Sequence, residues 1–195
     1  VINFVLGNPA DQPMGGRWQA SATHFGGGIF RPSNGLIYLK NNLTTGFADY
    51  TMVLGIPGDV GLAGDWDGDG LDSPGVYRPS ATTFYLSNSV CNCAVFGDFQ
   101  ILYGNPGDTP VMGDWTGQGH DGVGLFRQSN GFTYLKNQLV TGYADIPFVF
   151  GIAGDVPIAG HWQLTYPPKP NPGSVLVPPT SLPGGTGAPP SQLGD

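Results

Sequence analysis

The sequence contains no glutamate and few charged residues of either sign. All 14 acidic residues are aspartate, and lysine and arginine number seven together, so charged residues make up only 11% of the chain. Soluble domains usually carry about 25%, and exposed helix faces are usually built from glutamate, lysine, alanine and leucine. Because the 33 glycines and 19 prolines also interrupt helices, the composition disfavours a helical fold.

Positive charge is too scarce for some classes of partner. The net charge of −7 disfavours binding to nucleic acid, which requires clustered lysine and arginine. Adhesion to an anionic membrane is disfavoured for the same reason. No apolar run approaches the roughly 18 residues of a membrane-spanning helix, so we expect no membrane insertion.

Cysteine is almost absent. Cys91 and Cys93 stand one residue apart in SNSVCNCAVF, and two thiols with no further cysteine or nearby histidine make a poor metal pair. We expect them to lie in a loop. They could be oxidised to each other or to a neighbouring chain.

What the sequence does contain is a repeat. Four segments resemble one another and end in the four tryptophans of the chain, which are 48, 49 and 47 residues apart. The segments are FVLGNPADQPMGGRW (4–18), MVLGIPGDVGLAGDW (52–66), ILYGNPGDTPVMGDW (101–115) and FVFGIAGDVPIAGHW (148–162). Between them a second block recurs, in which Arg31, Arg78 and Arg127 occupy equivalent positions. A fixed period of this length is typical of propeller blades.

Each repeat carries four short strand signals, in which aromatic and β-branched residues are separated by Gly, Pro, Asn and Ser. SNG at 33–35 and 129–131 predicts hairpin turns. The predicted fold class is all-β: propeller-like tandem four-stranded repeats, about 3.5 units of 47–49 residues, with an extended Pro-rich C-terminal tail. We expect a repeat domain over 1–163, with repeats at 4–51, 52–100 and 101–147 and a partial repeat at 148–162, followed by the tail, 164–195.

Three and a half repeats do not easily close a ring, because closed propellers usually have about four to eight blades. The partial repeat is interpreted as a leftover pair of strands. Two chains could share a seven-bladed ring, or chains could join end to end with the leftover strands completing the neighbour. A head-to-tail contact that does not close forms a filament.

The stretch GDWDGDGLDSPGVYRPSATTFYLSNS (64–89) resembles the FG-GAP/VCBS-type, integrin-like repeats of bacterial secreted and surface proteins. The resemblance covers residues 1 to about 162 and is strongest in the middle repeat. It implies a propeller-like β fold, an extracellular location and Ca²⁺-binding loops. It does not imply one activity, because such repeats serve adhesion, structure and as accessories to enzymes.

The middle repeat also carries the pattern of a calcium loop. Asp65, Asp67 and Asp69 stand at positions 1, 3 and 5 of D-x-D-G-D-G, where hard oxygen ligands are expected. The carbonyl of Leu71 and the carboxylate of Asp72 are the candidates to complete the ligand set of a structural Ca²⁺. The alternative is a solvated acidic turn. The corresponding loop of the next repeat keeps a weaker pair of candidates, Asp114 and Asp121.

Several other residue types recur once per repeat. We expect each equivalent arginine to pair with an aspartate, and the tryptophans to pack between blades in preference to stacking on sugars. No histidine stands in a catalytic pattern, so we predict that the chain is not an enzyme. If the chain binds glycans, the equivalent Tyr38, Tyr85 and Tyr134 are the candidate contacts.

The tail is rich in proline and favours extended conformations. Its apolar Val175, Leu176 and Val177 are candidates for a contact with another subunit. The sequence thus favours a secreted, non-catalytic structural protein at the cell surface that self-assembles into a filament or layer through incomplete repeats and the tail. The alternative is a glycan-binding or adhesive propeller, as a monomer or a seven-bladed dimer.

Overall fold

In the computed structural model, which describes residues 1–160, the chain forms twelve β-strands and no helix within that range. The strands form three antiparallel sheets of four, each in chain order. This confirms the all-β class and the four-stranded units. The strands are β1 (Gln12–Gly16), β2 (Gly26–Arg31), β3 (Leu36–Lys40), β4 (Tyr50–Val53), β5 (Val60–Gly64), β6 (Ser73–Arg78), β7 (Thr83–Leu86), β8 (Phe99–Leu102), β9 (Asp108–Gly113), β10 (Gly122–Arg127), β11 (Phe132–Lys136) and β12 (Ile146–Val149).

The second and third strands of each sheet are joined by a short turn. In the first sheet the backbone N–H groups of Asn34 and Gly35 both donate to the carbonyl of Arg31, and Gly35 has a φ of +74°. The third sheet repeats this turn with Gly131 at +71°. Glycine adopts this left-handed conformation without a steric penalty, so both SNG segments form the turn that the sequence predicts.

The sheets follow a frame that is shifted from the sequence repeat. The first two residues of each repeat, which begin at 52, 101 and 148, form the second half of the outermost strand of the preceding sheet: β4, β8 and β12. The Trp-ending motif is therefore a connection from one sheet to the next. Segment 148–162, interpreted from the sequence as a leftover strand pair, gives its first residues to the third sheet, and 150–160 contains no strand.

The three sheets stack face to face, and equivalent residues build both interfaces. Between the first and second sheets, the core includes Trp18, Phe30, Ile37, Leu39, Met52 and Val76. Between the second and third sheets, it includes Trp66, Tyr77, Phe84, Leu86, Ile101, Val123 and Leu125. Burial of each large side chain contributes about 1.5–3 kcal/mol. Trp18 and Trp66 are each 3% exposed, as expected for packing between sheets.

A cysteine-containing loop joins the second sheet to the edge of the first. Cys91 and Cys93 are bonded to each other, and the segment around them runs alongside β4. The N–H of Val53 donates to the carbonyl of Cys93 at 3.1 Å, and the N–H of Val95 donates to the carbonyl of Val53 at 2.9 Å. The disulfide therefore shapes a segment that extends the first sheet.

Replacing both cysteines, as Cys91→Ser/Cys93→Ser, is expected to lower the free energy of unfolding by about 1–2 kcal/mol, because the unfolded chain regains the freedom of the short closed loop. Urea denaturation measures this change. Ser89→Ala, in the same loop but outside the disulfide, is the control and should stay within about 0.5 kcal/mol. An unchanged free energy of unfolding in the double variant would show that the loop is held by its backbone contacts alone.

Candidate functional site

The loop between β5 and β6 is organised around one aspartate. The Oδ1 of Asp65 accepts hydrogen bonds from the backbone N–H groups of Gly68 at 2.7 Å and Asp69 at 3.1 Å. Its Oδ2 accepts from the N–H of Gly70 at 2.8 Å. Gly68 and Gly70 have φ values of +79° and +82°, which the glycines of the motif permit. The side chain of Asp65 thus fixes the path of the loop.

This loop brings three carboxylates together. Oxygens of Asp65, Asp67 and Asp69 all lie within 4.8 Å of one another. Asp65 is half-buried, and the other two are exposed. Leu71 follows, and its N–H donates to the Oδ1 of Asp69 at 2.8 Å. Close carboxylates repel one another unless a proton or cation intervenes, and such hard oxygen donors are those that Ca²⁺ prefers.

Asp72 lies elsewhere, in a contact between sheets. Its Oδ2 accepts from the N–H of Arg17 in the first sheet's loop at 2.7 Å, and its own N–H donates to the carbonyl of Arg17 at 2.9 Å. Asp121 makes the same two contacts with the backbone of Asp65, at 3.0 and 2.6 Å. Burial raises the pKa of both carboxyls. We call these two contacts the inter-sheet clasps.

The clasps reassign two of the residues that the sequence suggests as ligands. The carboxylates of Asp72 and Asp121 each bond the backbone of the preceding sheet, and neither belongs to the group of three. Sequence spacing places Asp72 three residues after Asp69, but spacing does not reveal the direction of the side chain. The carboxylates that stay together as candidate ligands are those of Asp65, Asp67 and Asp69, and a role for the Leu71 carbonyl stays a prediction.

The loop between β9 and β10 has the same turn without the same charge. The carboxylate of Asp114 accepts from the N–H groups of Gly117 and Gly119, each at 2.8 Å. These bonds, with that from Gly119 the strongest, lower the pKa of Asp114. Thr116 and Gln118 replace the second and third aspartates. The turn therefore forms without three carboxylates, and only the second sheet's loop concentrates negative charge.

Each sheet also contains a unit made of one arginine, one aspartate and one tyrosine. The guanidinium of Arg78 donates from Nε and Nη2 to the two carboxylate oxygens of Asp59, both at 2.9 Å. Its Cζ lies 4.6 Å from the centroid of the Tyr85 ring. The other sheets repeat the unit with Arg31, Asp11 and Tyr38 and with Arg127, Asp108 and Tyr134. Each arginine therefore pairs with an aspartate, as predicted, and the partner belongs to its own sheet.

The aspartates of these units were not identified from the sequence, although a signal was present. Asp11, Asp59 and Asp108 stand at one position of the Trp-ending motif, and Asp155 is the fourth copy. Each of the first three aspartates pairs with an arginine that lies about 20 residues later, across two adjacent strands. The tyrosines considered as glycan contacts are half-buried, and each has one ring face covered by the guanidinium.

These units make stability sensitive to acid. The guanidinium of Arg31 donates to Asp11 and holds the pKa of that carboxyl below its ordinary value. The pair therefore stabilises the fold above pH about 4, and this contribution is lost as the pH falls through the lower pKa of the folded state. We expect the difference in free energy of unfolding between the native chain and Arg31→Ala to narrow as the pH falls from about 5 to 2. A constant difference, measured by urea denaturation across this range, would contradict the prediction.

Some residues suggested by the sequence cannot be placed. Val175, Leu176 and Val177, together with Trp162, lie outside the described residues. Among residues 1–160, no helix is long and apolar enough to cross a membrane. Comparison of the chain with protein-family models, curated proteins and solved structures gives no match.

Proposed function

We propose that the chain is a non-catalytic extracellular structural protein that self-assembles end to end through the faces of its outer sheets. The observation that carries this proposal is the exposure of β12. Phe148 is 41% exposed, whereas Met52 and Ile101, at the same position of β4 and β8, are fully buried. Phe150 is 78% exposed and its counterpart Tyr103 only 7%. The third sheet presents an interface surface with no fourth sheet on it among the described residues.

The occupant that fits this surface is the first sheet of a second copy. Both interfaces inside the chain use equivalent residues, so a third interface between copies would continue the same stacking. Chains joined in this way are related head to tail, and such contacts extend into a filament unless they close into a ring. The first strands of the sheets, β1, β5 and β9, are neighbours in that order. This order supports the propeller-like arrangement that we propose for the stack.

The receiving end is covered by the chain itself. Phe4 and Leu6 lie over the first sheet, where a Cβ on Gly27 would come within 3.3 Å and 3.5 Å of their side chains. The N–H of Val5 donates to Oγ1 of Thr45 at 3.0 Å. Leu102 makes the same bond with Thr141. Residues 4–6 thus imitate the outermost strand of a preceding sheet, although they form no strand. We propose that β12 of the neighbouring copy displaces them.

The extracellular location is part of the proposal. The disulfide between Cys91 and Cys93 supports it, because disulfides persist chiefly in oxidising compartments. The resemblance of 64–89 to repeats of secreted and surface proteins points the same way. Sedimentation velocity and negative-stain microscopy of the purified chain test the assembly. Fibres or a ladder of oligomers are expected, and a uniform particle of 20.4 kDa would contradict the proposal.

We further propose that the three-carboxylate loop binds Ca²⁺ as a structural ion. Asp65, Asp67 and Asp69 fit a hard cation, because their oxygens lie within 4.8 Å of one another and each is accessible or half-buried. An ion there would offset the repulsion among the carboxylates and hold the loop that contacts Asp121 of the third sheet. Its role would be to stiffen the junction between the second and third sheets.

Calcium at about 5 mM is expected to raise the free energy of unfolding by about 1–2 kcal/mol, as for a site of submillimolar to millimolar affinity. Asp69→Asn should abolish this increase, because it removes one of the three carboxylates. Asp114→Asn, in the equivalent turn of the third sheet, is the matched control and should keep it. Thermal or urea unfolding with calcium and with a chelator measures the effect. An equal increase in Asp69→Asn would place the ion elsewhere.

A further inference from the structure

A cavity of about 460 Å³ opens beside the loop that joins β1 to β2. Its walls come mainly from two parts of the first sheet, and Ile2 of the N-terminal segment adds to them. The loop contributes Gln19, Ser21 and Phe25, and the segment that follows β3 contributes Asn41, Asn42 and Leu43. It lies at the loop end of the first sheet, in the position that the aspartate-centred turns take in the second and third sheets.

The loop of the first sheet has diverged from the other two. It contains nine residues between its strands, 17–25, whereas the loops 65–72 and 114–121 contain eight. It has no aspartate and is closed by a turn in which the N–H of Ala22 donates to the carbonyl of Gln19 at 3.0 Å. The acidic turn has been replaced by a longer loop that carries no carboxylate.

The divergence leaves an asparagine without its usual partners. In the third sheet, Oδ1 of Asn137 accepts from Oγ1 of Thr116, and its Nδ2 donates to Oε1 of Gln118, both at 3.2 Å. The loop thereby satisfies the amide. Asn41 occupies the same place in the first sheet, but its Oδ1 is buried and has no hydrogen-bond partner among the described residues. A buried acceptor without a donor costs free energy, and Asn41 lines the cavity.

The cavity wall combines uncharged polar groups with an exposed aromatic ring. No aspartate, lysine or arginine is among its lining residues, and His24 is the titratable side chain in the wall. Amide and hydroxyl groups are supplied by Gln19, Ser21 and Asn42, and Phe25 is 66% exposed. Convergent polar groups beside an apolar surface are typical of small-ligand sites. A sugar matches this chemistry, because its hydroxyls can exchange hydrogen bonds with the side chains of Gln19, Ser21 and Asn42, and its C–H face can pack against Phe25.

We propose that this cavity binds a neutral carbohydrate. Apart from Ile2, its lining lies in the β1–β2 loop and in the segment after β3 and not in residues 4–6, so it would give each subunit of an assembly one sugar contact. It also differs from the three tyrosines considered from the sequence, because those rings are partly covered by arginine. The first sheet alone carries the diverged loop, which makes the site single within residues 1–160.

Saturation-transfer difference NMR tests the proposal, because it detects bound sugar equally well on a monomer and on a polymer. Asn42-Leu43-Thr44 is an N-glycosylation acceptor sequence, so the full chain is prepared in a host that does not glycosylate it. Glucose, galactose, mannose and N-acetylglucosamine are each added to about 50 mM. At least one sugar should receive saturation that approaches a plateau as its concentration rises. No transfer to any of the four would overturn the proposal.

Variants then locate the binding. Phe25→Ala and Asn42→Ala should each weaken the affinity of the retained sugar about tenfold, since they remove the ring and an exposed amide of the cavity wall. Phe96→Ala is the matched control, because Phe96 is a 91% exposed phenylalanine in a loop of the second sheet and lies outside the cavity lining. Unchanged affinity in both cavity variants, or an equal loss in the control, would overturn the assignment of the site.

Discussion

Arg78→Ala is expected to lower the free energy of unfolding by about 2–3 kcal/mol. Arg78 makes two hydrogen bonds to Asp59, whose side chain is only 1% exposed. Without the arginine, the carboxylate keeps the N–H of Ile56 as a donor but has no counter-charge. A buried charge that loses its partner is strongly destabilising. Because Arg78 itself is 20% exposed, water reduces the loss below the largest values known for such pairs.

The fourth copy of the same turn provides the control. Asp155 accepts from the N–H of Ile152 at 2.8 Å, as Asp59 accepts from Ile56. It is exposed, and no arginine pairs with it among the described residues. Asp155→Asn should therefore change stability by no more than about 0.5 kcal/mol, whereas Asp59→Asn should approach the loss in Arg78→Ala. Urea denaturation at neutral pH compares the variants. Equal, small effects at both positions would show that the turn matters and the ion pair does not.

Much of this architecture can be predicted from the sequence, because the repeat aligns residues with equivalent roles. Trp18 and Trp66 recur once per unit and lie in the two interfaces, and the SNG segments form turns at Gly35 and Gly131. The repeat does not reveal where one sheet ends. The Trp-ending motif runs from β8 of the second sheet to β9 of the third. Its copies resemble one another along their whole length, so no local signal marks the residue at which one sheet ends and the next begins.

The candidate metal site could also be predicted only in part from the sequence. Asp65, Asp67 and Asp69 come together because alternate residues of a glycine-rich turn can point the same way. Asp72 has the same chemistry and lies close in sequence, yet its carboxylate bonds the backbone of Arg17 in another sheet. This contact is 55 residues distant along the chain. The inter-sheet clasps, like the partner of each arginine, depend on stacking, which spacing alone does not encode.

Phe148→Asp/Phe150→Asp is expected to abolish self-assembly and leave monomers. In the proposed contact between copies, these side chains take the places of Met52 and Leu54 or of Ile101 and Tyr103, and Met52 and Ile101 are fully buried. Two carboxylates there would have to lose their hydration against an apolar surface, which costs several kcal/mol. Val149→Asp is the matched control. Its counterparts Val53 and Leu102 stay 45% and 56% exposed inside the stack, so this strand position does not enter the interface, and assembly should persist.

Removing residues 1–6 should have the opposite effect. If Phe4 and Leu6 cover the face that receives β12, their deletion frees that face, and assembly should begin at a lower protein concentration. In the full chain, the contact between copies first requires residues 4–6 to be displaced, which costs free energy. The deletion removes this cost and so strengthens the contact. Sedimentation velocity over a concentration series compares the deletion with the full chain and the aspartate variants. Circular dichroism confirms that each variant keeps its β structure. A deletion that dissociates the assembly would show that residues 4–6 are part of the contact, and would replace displacement with a model in which they join the neighbouring copy.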